Sequence, residues 1–199
     1  MAQLNTNSKI ILASQSPRRV ALLKQMHIDC LVMPADIDEQ ALPNESPADY
    51  VLRLAEQKAL AVFKKLNGQH IDMPILAADT TVALGMAIFG KPENDADAFN
   101  MLKNLAGSTH QVHTAIALAF KGKLETRLNT TLVHMMPLTD AMIKAYIATG
   151  EHKDKAGSYA IQGKAGAWIK RIEGSYTGVM GLPLYETAKL LRDFQDKSN

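Results

Sequence analysis

The sequence predicts an α/β protein with a mixed sheet, and two observations support this fold class. Short apolar runs with β-branched residues, typical of buried strands, alternate along the chain with longer segments of helical periodicity. One hairpin signal, Lys121-Gly122-Lys123, separates two strand-like segments within residues 108–136. The alternation favours strands covered by helices, and the hairpin adds antiparallel strands, so we expect an elongated mixed sheet with flanking helices.

Local signals place each element in turn. Strands are predicted where apolar runs are bounded by polar or turn residues, and helices where a residue able to cap free amides precedes helical periodicity. The first half of the chain is predicted to contain a strand at 10–13, a helix begun by Ser16-Pro17, a strand at 30–33 and a helix from Ser46 to about Leu66. A strand at 75–78 then leads to Asp79 and through a Gly85 turn to Phe89, and a helix from Asn94 to Gly107 follows. The second half is predicted to contain two strands within 108–136, a helix from Thr139 to Gly150, an ordered loop at 150–166, a strand near 167–172, a turn at 174–176 and a helix begun by Pro183.

Size and composition limit the function classes. The chain has 199 residues, 47% apolar and 21% charged, as expected for one domain over residues 1–199, and its net charge of +2 is too small to predict nucleic-acid binding. No apolar run approaches a membrane span, the polar N-terminal residues lack a stretch of signal-peptide length, and one cysteine cannot form an internal disulfide. We therefore expect a cytoplasmic protein that binds neither nucleic acid nor a membrane.

A candidate anion site lies where the first strand meets the first helix. Ser14 and Ser16 flank the turn, and the free amides and positive dipole end of the helix would point at a ligand there. Arg18 and Arg19 in the first helical turn oppose that dipole unless an anion such as phosphate neutralises them. The alternative is a capped helix with two solvated arginines.

Lys58 is out of place on the second predicted helix. At about 100° per residue, it falls within about 60° of Val51, Ala55 and Val62, so it lies on the apolar stripe. Lysine is rarely buried without a partner. Either its ammonium extends to the rim of the protein, or it points into a cleft and holds a fixed anion.

Two carboxylates could likewise belong to a ligand site or have an ordinary structural role. Asp79 follows four apolar residues, so we expect it at the end of a buried strand, where ligand sites of α/β sheets gather. It could instead form a turn. Glu39 shares an acidic loop with Asp36 and Asp38, and such a cluster is either a solvated loop or a source of ligands.

Together, these residues indicate a polyphosphate site with a metal ion. The basic candidates are Arg18, Arg19, Lys58 and Lys91, and the acidic ones are Glu39 and Asp79. Carboxylates of this kind are the ligands that magnesium takes beside substrate phosphates. The chain has neither a Walker-type glycine loop nor a Rossmann fingerprint, which argues against P-loop kinases and dehydrogenases. His110 and His113 project from opposite faces of a predicted strand, which argues against a histidine metal site.

Motifs spread over nearly the whole chain carry a resemblance to a known family. They are, in order, LASQSPRR at 12–19, YVLRLA at 50–55, KA at 58–59, ADT at 78–80, GKP at 90–92, Gly107 with HQV at 110–112, DKAGSYAIQG at 154–163 and GLPL at 181–184. The chain resembles the Maf family of nucleoside triphosphate pyrophosphatases in these motifs and in their order. The segment at 159–163 is similar to the branch of the family that acts on dTTP and UTP.

The resemblance implies a fold like that of inosine triphosphate pyrophosphatases, with two lobes around a nucleotide cleft, and a homodimer. It implies hydrolysis between the α and β phosphates, dependent on a divalent cation (Mg²⁺ or Mn²⁺). It also ties Arg18, Thr80 and Gln162 to substrate choice and makes Asp79 the proton acceptor. The candidates are then Asp79, Lys58, Lys91 and Glu39 for catalysis, Ser14, Ser16, Arg18, Arg19, Thr80 and Gln162 for the substrate, and Glu39 and Asp79 for the metal.

The Gln162 amide suits the recognition of a pyrimidine, because its donor and acceptor match the O4/N3 edge of uracil or thymine. Rotation of the amide would also match cytosine, so neighbouring groups must decide between the bases. Two alternatives stay open on the sequence. One is a nucleotide-binding regulator of cell division that hydrolyses nothing, and the other is the same chemistry on 7-methyl-GTP.

Overall fold

One mixed sheet runs through the computed structural model, which describes residues 9–66 and 73–196. Its strands are β1 (Ile10–Leu12), β2 (Cys30–Val32), β3 (Ile75–Leu84), β4 (Ala87–Phe89), β5 (Thr109–Phe120), β6 (Lys123–Met135) and β7 (Ile169–Glu173). The strand order is β2-β1-β3-β5-β6-β7, with β4 paired to β3. The pairs that involve β1 are parallel and the others are antiparallel, which confirms the predicted mixed sheet.

Helices cover both faces of the sheet. They are α1 (Pro17–Gln25), α2 (Pro47–Lys65), α3 (Asp95–Leu105), α4 (Asp140–Ile147), a short α5 (Tyr176–Val179) and α6 (Leu184–Asp196). The loop predicted at 150–166 contains a 3₁₀ turn at Ala156–Ser158, and a second one at Lys164–Trp168 follows it. Within the described residues, no helix combines the length and the apolar character needed to cross a membrane. The polar residues 1–8, on which the expectation about a signal peptide rested, lie outside the described residues.

The helix starts follow local capping chemistry, with one exception. Ser46, Asn94 and Thr139 cap α2, α3 and α4 as predicted, and each accepts a hydrogen bond from the backbone amide three residues later. The prediction that the Ser16 side chain caps α1 is wrong. Its own backbone N–H instead donates to Ser14 Oγ over 3.2 Å, because the turn before α1 directs the earlier hydroxyl toward the free amides.

Asp79 does not lie at the end of its strand, so this expectation is also wrong. β3 continues to Leu84 and pairs with β5 over residues 75–83. The strand can continue through a charged residue because the side chain of Asp79 points out of the sheet plane and is paired there with Lys58.

The other edge of β3 is interrupted. β1 pairs with β3 only at Ile75 and Leu76, and β4 begins to pair at Val82. Among the described strands, none pairs with residues 77–81 on this edge. The carboxyl end of β1 opens into this gap, which places the gap where ligand sites of α/β sheets gather.

The two faces of the sheet have separate apolar cores. α1 and α6 pack on one face over the group that includes Leu12 and Ala78, and α2 packs on the other over the group that includes Ala13 and Ala77. Side chains alternate along a strand, so Asp79 projects toward α2 and Thr80 toward α1. A third core lies under α3 and α4. The gap in β3 therefore receives side chains from both faces.

Candidate active site

A cavity of about 720 Å³ opens at the gap in β3. Side chains from α1, α2, β3, the acidic loop and the 154–162 segment line it. The structure brings all ten predicted site residues to this one cavity, namely Ser14, Ser16, Arg18, Arg19, Glu39, Lys58, Asp79, Thr80, Lys91 and Gln162. The basic residues of distant segments thus face a shared space rather than separate regions of solvent.

Lys58 bridges two carboxylates within this cavity. Its Nζ atom lies 2.6 Å from Asp79 Oδ1 and 2.6 Å from Glu39 Oε1. The residue is only 9% exposed, and Val51, Ala55 and Val62 on the same stripe are fully buried. Of the two alternatives for Lys58, the structure therefore shows the cleft and the fixed anion, because the ammonium is held by acids rather than extended into solvent.

Glu39 is held in its ionised form by its neighbours. Burial would raise the pKa of Glu39, but the hydrogen bond and charge of Lys58, with the charges of Lys91 and Arg19, outweigh it and hold this pKa below its usual value. Lys91 lies 3.8 Å from Glu39 Oε2 and its side chain is 63% exposed, so its contribution is largely screened by water. The acidic loop is therefore tied to the site by charge: Glu39 stays partly exposed, with 41% of its side chain accessible, but both of its carboxylate oxygens face lysines.

The two arginines of α1 have different environments. Arg19 donates from Nε to the Gly181 carbonyl (2.8 Å), from Nη1 to Ser14 Oγ (2.9 Å) and from Nη2 to Thr80 Oγ1 (3.2 Å). Arg18 makes none of these contacts and lines the cavity half-buried. Burial lowers the pKa of Arg18, and the nearby charge of Asp154 partly offsets this effect. The alternative of two solvated arginines does not describe Arg19, which is fixed in a network.

One part of the cavity wall is less polar. Tyr159, Ala160 and Ile161 line it together with Val82 and Val112, and Gln162 follows this segment with an exposed side chain. The loop is held from behind by Glu151, whose Oε1 accepts from the Lys164 backbone N–H over 2.9 Å. The base-reading role of Gln162 stays a prediction.

Sequence reasoning missed the residues that hold Glu39 in place. The hydroxyl of Tyr50 donates to the Glu39 carbonyl over 2.9 Å, and burial raises the pKa of Tyr50 to about 12. Arg53 binds Glu45 through two hydrogen bonds of 2.6 and 2.7 Å and also donates to the Gln40 carbonyl. Both residues fall in the motif at 50–55. The hydroxyl of a half-buried tyrosine needs a hydrogen-bond partner, and this requirement could have indicated that Tyr50 has a structural role.

Lys155 was also missed. It lines the cavity beside Arg18, and burial together with the charge of Arg18 lowers its pKa. Periodicity cannot place a residue in the irregular 150–166 segment, so no signal beyond the motif itself pointed to it.

Glu39 and Asp79 are the residues that could hold a metal ion. Within the described segments, no group of three or more His, Cys, Asp and Glu side chains could do so. Two carboxylates, each engaged with Lys58 through one oxygen, form a hard-oxygen donor set that fits magnesium when substrate phosphates complete its shell. His110 and His113 project from opposite faces of β5 as predicted, toward Tyr159 and Thr130.

Comparison with known proteins adds a relationship over almost the entire chain. The model of the family described as Maf-like protein matches residues 9–194. A dTTP/UTP pyrophosphatase of Methylobacillus flagellatus is 53% identical over 186 residues, which cover 94% of this chain and 92% of that protein. A dTTP/UTP pyrophosphatase of Nitrosomonas europaea is 50% identical over 92% of this chain and 93% of that protein. A dTTP/UTP pyrophosphatase of Colwellia psychrerythraea is 48% identical over 94% of this chain and 89% of that protein.

Proposed function

Because the chain belongs to the Maf-like protein family, we propose that it hydrolyses dTTP and UTP to the nucleoside monophosphate and pyrophosphate. The relatives that are 48–53% identical and carry the name dTTP/UTP pyrophosphatase support this activity. The observation that carries the proposal is the placement of Lys58 between Glu39 and Asp79 in a cavity that Arg18 and Lys91 also line. The basic groups match the negative charge of a triphosphate, and the two carboxylates offer a proton acceptor and oxygen ligands for a cation.

The substrate orientation follows from the two sides of the cavity. The triphosphate lies against Ser14, Ser16 and the amides that begin α1, where the helix dipole favours an anion. Arg18 contacts the phosphates from α1. The base lies toward Tyr159 and Gln162 on the less polar side, and the Gln162 amide reads the O4/N3 edge.

The reaction adds one water to the α phosphorus. The bond between this phosphorus and the oxygen that bridges to the β phosphorus breaks, and pyrophosphate leaves with that oxygen. Asp79 takes the proton of the water through its carboxylate. Lys58 and Lys91 stabilise the negative charge on the equatorial and leaving oxygens.

We propose that the reaction depends on Mg²⁺ or Mn²⁺, which the carboxylates of Glu39 and Asp79 would hold. When bound, such a cation supplies charge neutralisation on the phosphates.

We further propose that the protein acts in the cytoplasm as a homodimer on free nucleotides. Light scattering after size-exclusion chromatography measures the oligomeric state.

A substrate screen tests the function. The purified protein is incubated with dTTP, UTP, CTP, ATP or 7-methyl-GTP, with Mg²⁺, with Mn²⁺ or with a chelator, and pyrophosphate is measured. We expect release from dTTP and UTP only when a cation is present. Preferred release from 7-methyl-GTP would change the base assignment. Binding of dTTP without release of pyrophosphate would contradict the enzyme and support a nucleotide-binding regulator.

A further inference from the structure

Arg19 connects two cavity hydroxyls through one guanidinium. Nη1 donates to Ser14 Oγ and Nη2 donates to Thr80 Oγ1, while Nε is fixed by the Gly181 carbonyl. The guanidinium is planar and its donors have fixed directions, so these three contacts orient the whole group. The positions of both hydroxyl oxygens are therefore tied to one rigid fork.

The hydrogen bonds of Ser14 determine where its proton is available. Its Oγ accepts from Arg19 Nη1 over 2.9 Å and from the Ser16 backbone N–H over 3.2 Å. A serine hydroxyl has two acceptor sites and one proton, and these two bonds use both acceptor sites. Ser14 is 8% exposed and lines the cavity, so what it offers a ligand there is a donor.

Thr80 has the opposite character. The Gly178 carbonyl can only accept, so the Thr114 hydroxyl donates to it over 2.8 Å. Thr114 Oγ1 therefore accepts from Thr80 Oγ1, 3.0 Å away, and this contact uses the proton of Thr80. Thr80 also accepts from Arg19, so what remains for a ligand is one acceptor site.

We propose that Arg19 is a positioning residue that sets the direction of these two hydroxyls, so that Ser14 donates to a phosphate oxygen and Thr80 accepts from a sugar hydroxyl. The assignment rests on the proposed function. Phosphate oxygens are acceptors, which matches Ser14 and excludes Thr80. The donors that dTTP and UTP share are the N3–H of the base, which is assigned to Gln162, and the 3′-hydroxyl, so the partner of Thr80 is the 3′-hydroxyl. Arg18, which takes no part in this network, is the arginine of α1 that contacts phosphate.

A double-mutant cycle tests the action of Arg19 through Ser14. Arg19→Lys keeps the positive charge but loses the planar guanidinium and its fixed N–H directions, and Ser14→Ala removes the hydroxyl that donates to phosphate. We expect each to lower kcat/KM for UTP about ten- to a hundredfold, the range for hydrogen bonds to charged groups. If Arg19 acts through Ser14, the double variant loses little more than the more affected single variant. The matched control is the pair Arg18→Lys and Ser14→Ala. Because Arg18 does not contact Ser14, the loss of kcat/KM in this double variant should equal the product of the losses in its two single variants. Losses that also multiply for the Arg19 pair would overturn the proposal.

A substrate that lacks the 3′-hydroxyl tests Thr80 without depending on the stability of an arginine variant. The wild-type protein should hydrolyse dTTP with a lower KM than 2′,3′-dideoxythymidine triphosphate. Thr80→Val should remove this difference, and Thr80→Ser, which keeps the hydroxyl, should retain it. If Thr80→Val shows the same KM difference between the two nucleotides as the wild-type protein, Thr80 does not accept from the 3′-hydroxyl. Neither result affects the proposed function, which fails only if the wild-type protein releases no pyrophosphate from dTTP.

Discussion

Lys58 of α2 and Asp79 of β3 are 21 residues apart in the sequence and share a hydrogen bond of 2.6 Å between Nζ and Oδ1. Both are at least nine-tenths buried, at 9% and 7% exposure. Two buried charges are stable only when each compensates the other, and here Glu39 adds a second anion to the same ammonium. This three-residue group is the structural centre of the site.

Asp79→Asn should abolish most of the activity while the protein stays folded. The amide cannot take a proton from water, and removal of one such group typically costs about 10²–10³ in rate. Lys58 keeps Glu39 as a partner, so the fold survives. Pyrophosphate release and thermal unfolding measure the two effects. Asp193→Asn on α6 is the matched control, since neither Asp193 nor its partner Arg127 lines the cavity, and loss of their contact should leave the rate unchanged.

Lys58→Ala should lower the rate by about the same 10²–10³ factor. It should also lower the melting temperature, because Glu39 and Asp79 would face each other without a cation between them. Lys103→Ala removes a lysine from an exposed pair with Asp140 and serves as the control for both measurements. Near-normal turnover by Lys58→Ala would remove this lysine from the mechanism.

His110 should make the free energy of unfolding depend on pH. Burial and then the charge of His134 lower the pKa of His110 to about 4, against about 6.5 in the unfolded chain. Between these values the unfolded state binds more protons, so stability is lost as the pH falls from about 6.5 to 4, by up to about 3 kcal/mol. Urea unfolding at several pH values should show this slope.

The matched variants identify His110 as the source of that slope. His110→Leu should flatten the pH dependence in this window, whatever it does to absolute stability. His27→Asn removes an exposed histidine at a left-handed backbone position that asparagine tolerates, so it should leave the slope intact. Equal slopes in the wild-type protein and the His110→Leu variant would assign the pH dependence to other groups.

Tyr50→Phe should loosen the segment that carries Glu39, because it removes the hydrogen bond to the Glu39 carbonyl. A net loss of about 1 kcal/mol corresponds to about a fivefold change, which should show as a lower kcat and a higher Mg²⁺ concentration at half-maximal rate. The control is Tyr185→Phe, which removes a hydroxyl from a strongly exposed tyrosine of α6. If both variants keep wild-type cation dependence, Tyr50 does not position Glu39.

Gly163→Ala should raise the KM for dTTP and UTP. An added Cβ atom would lie 1.8 Å from Glu151 Oε1, so the Glu151 side chain must move away from the Lys164 amide, and the segment that carries Gln162 loses this hydrogen bond. Glu151→Gln keeps an acceptor at the same position and should have a smaller effect on KM. Steady-state kinetics on both nucleotides separates KM from kcat, and an unchanged KM would show that this segment does not contact the base.

The local features of the fold were predictable because short-range rules govern them. Ser46, Asn94 and Thr139 cap the helices that their neighbours predict, and the Lys121-Gly122 turn joins two long strands as expected. Lys58 was identified as unusual from its position on one helix stripe. Ser16 escaped the same reasoning, because the acceptor for its amide is another side chain, Ser14, in an irregular turn.

The α/β class, the starts of α2, α3 and α4, and the residues whose charge conflicts with their surroundings could be read from the sequence, because side-chain periodicity and capping depend on neighbours within a few positions. Tertiary structure alone decided that β3 continues through Asp79, that Arg19 is held while Arg18 faces the cavity, and that Tyr50 supports Glu39. The contact between Arg19 and Gly181 spans 162 residues. Such contacts arise only when the sheet brings distant segments to one edge, and no local pattern encodes them.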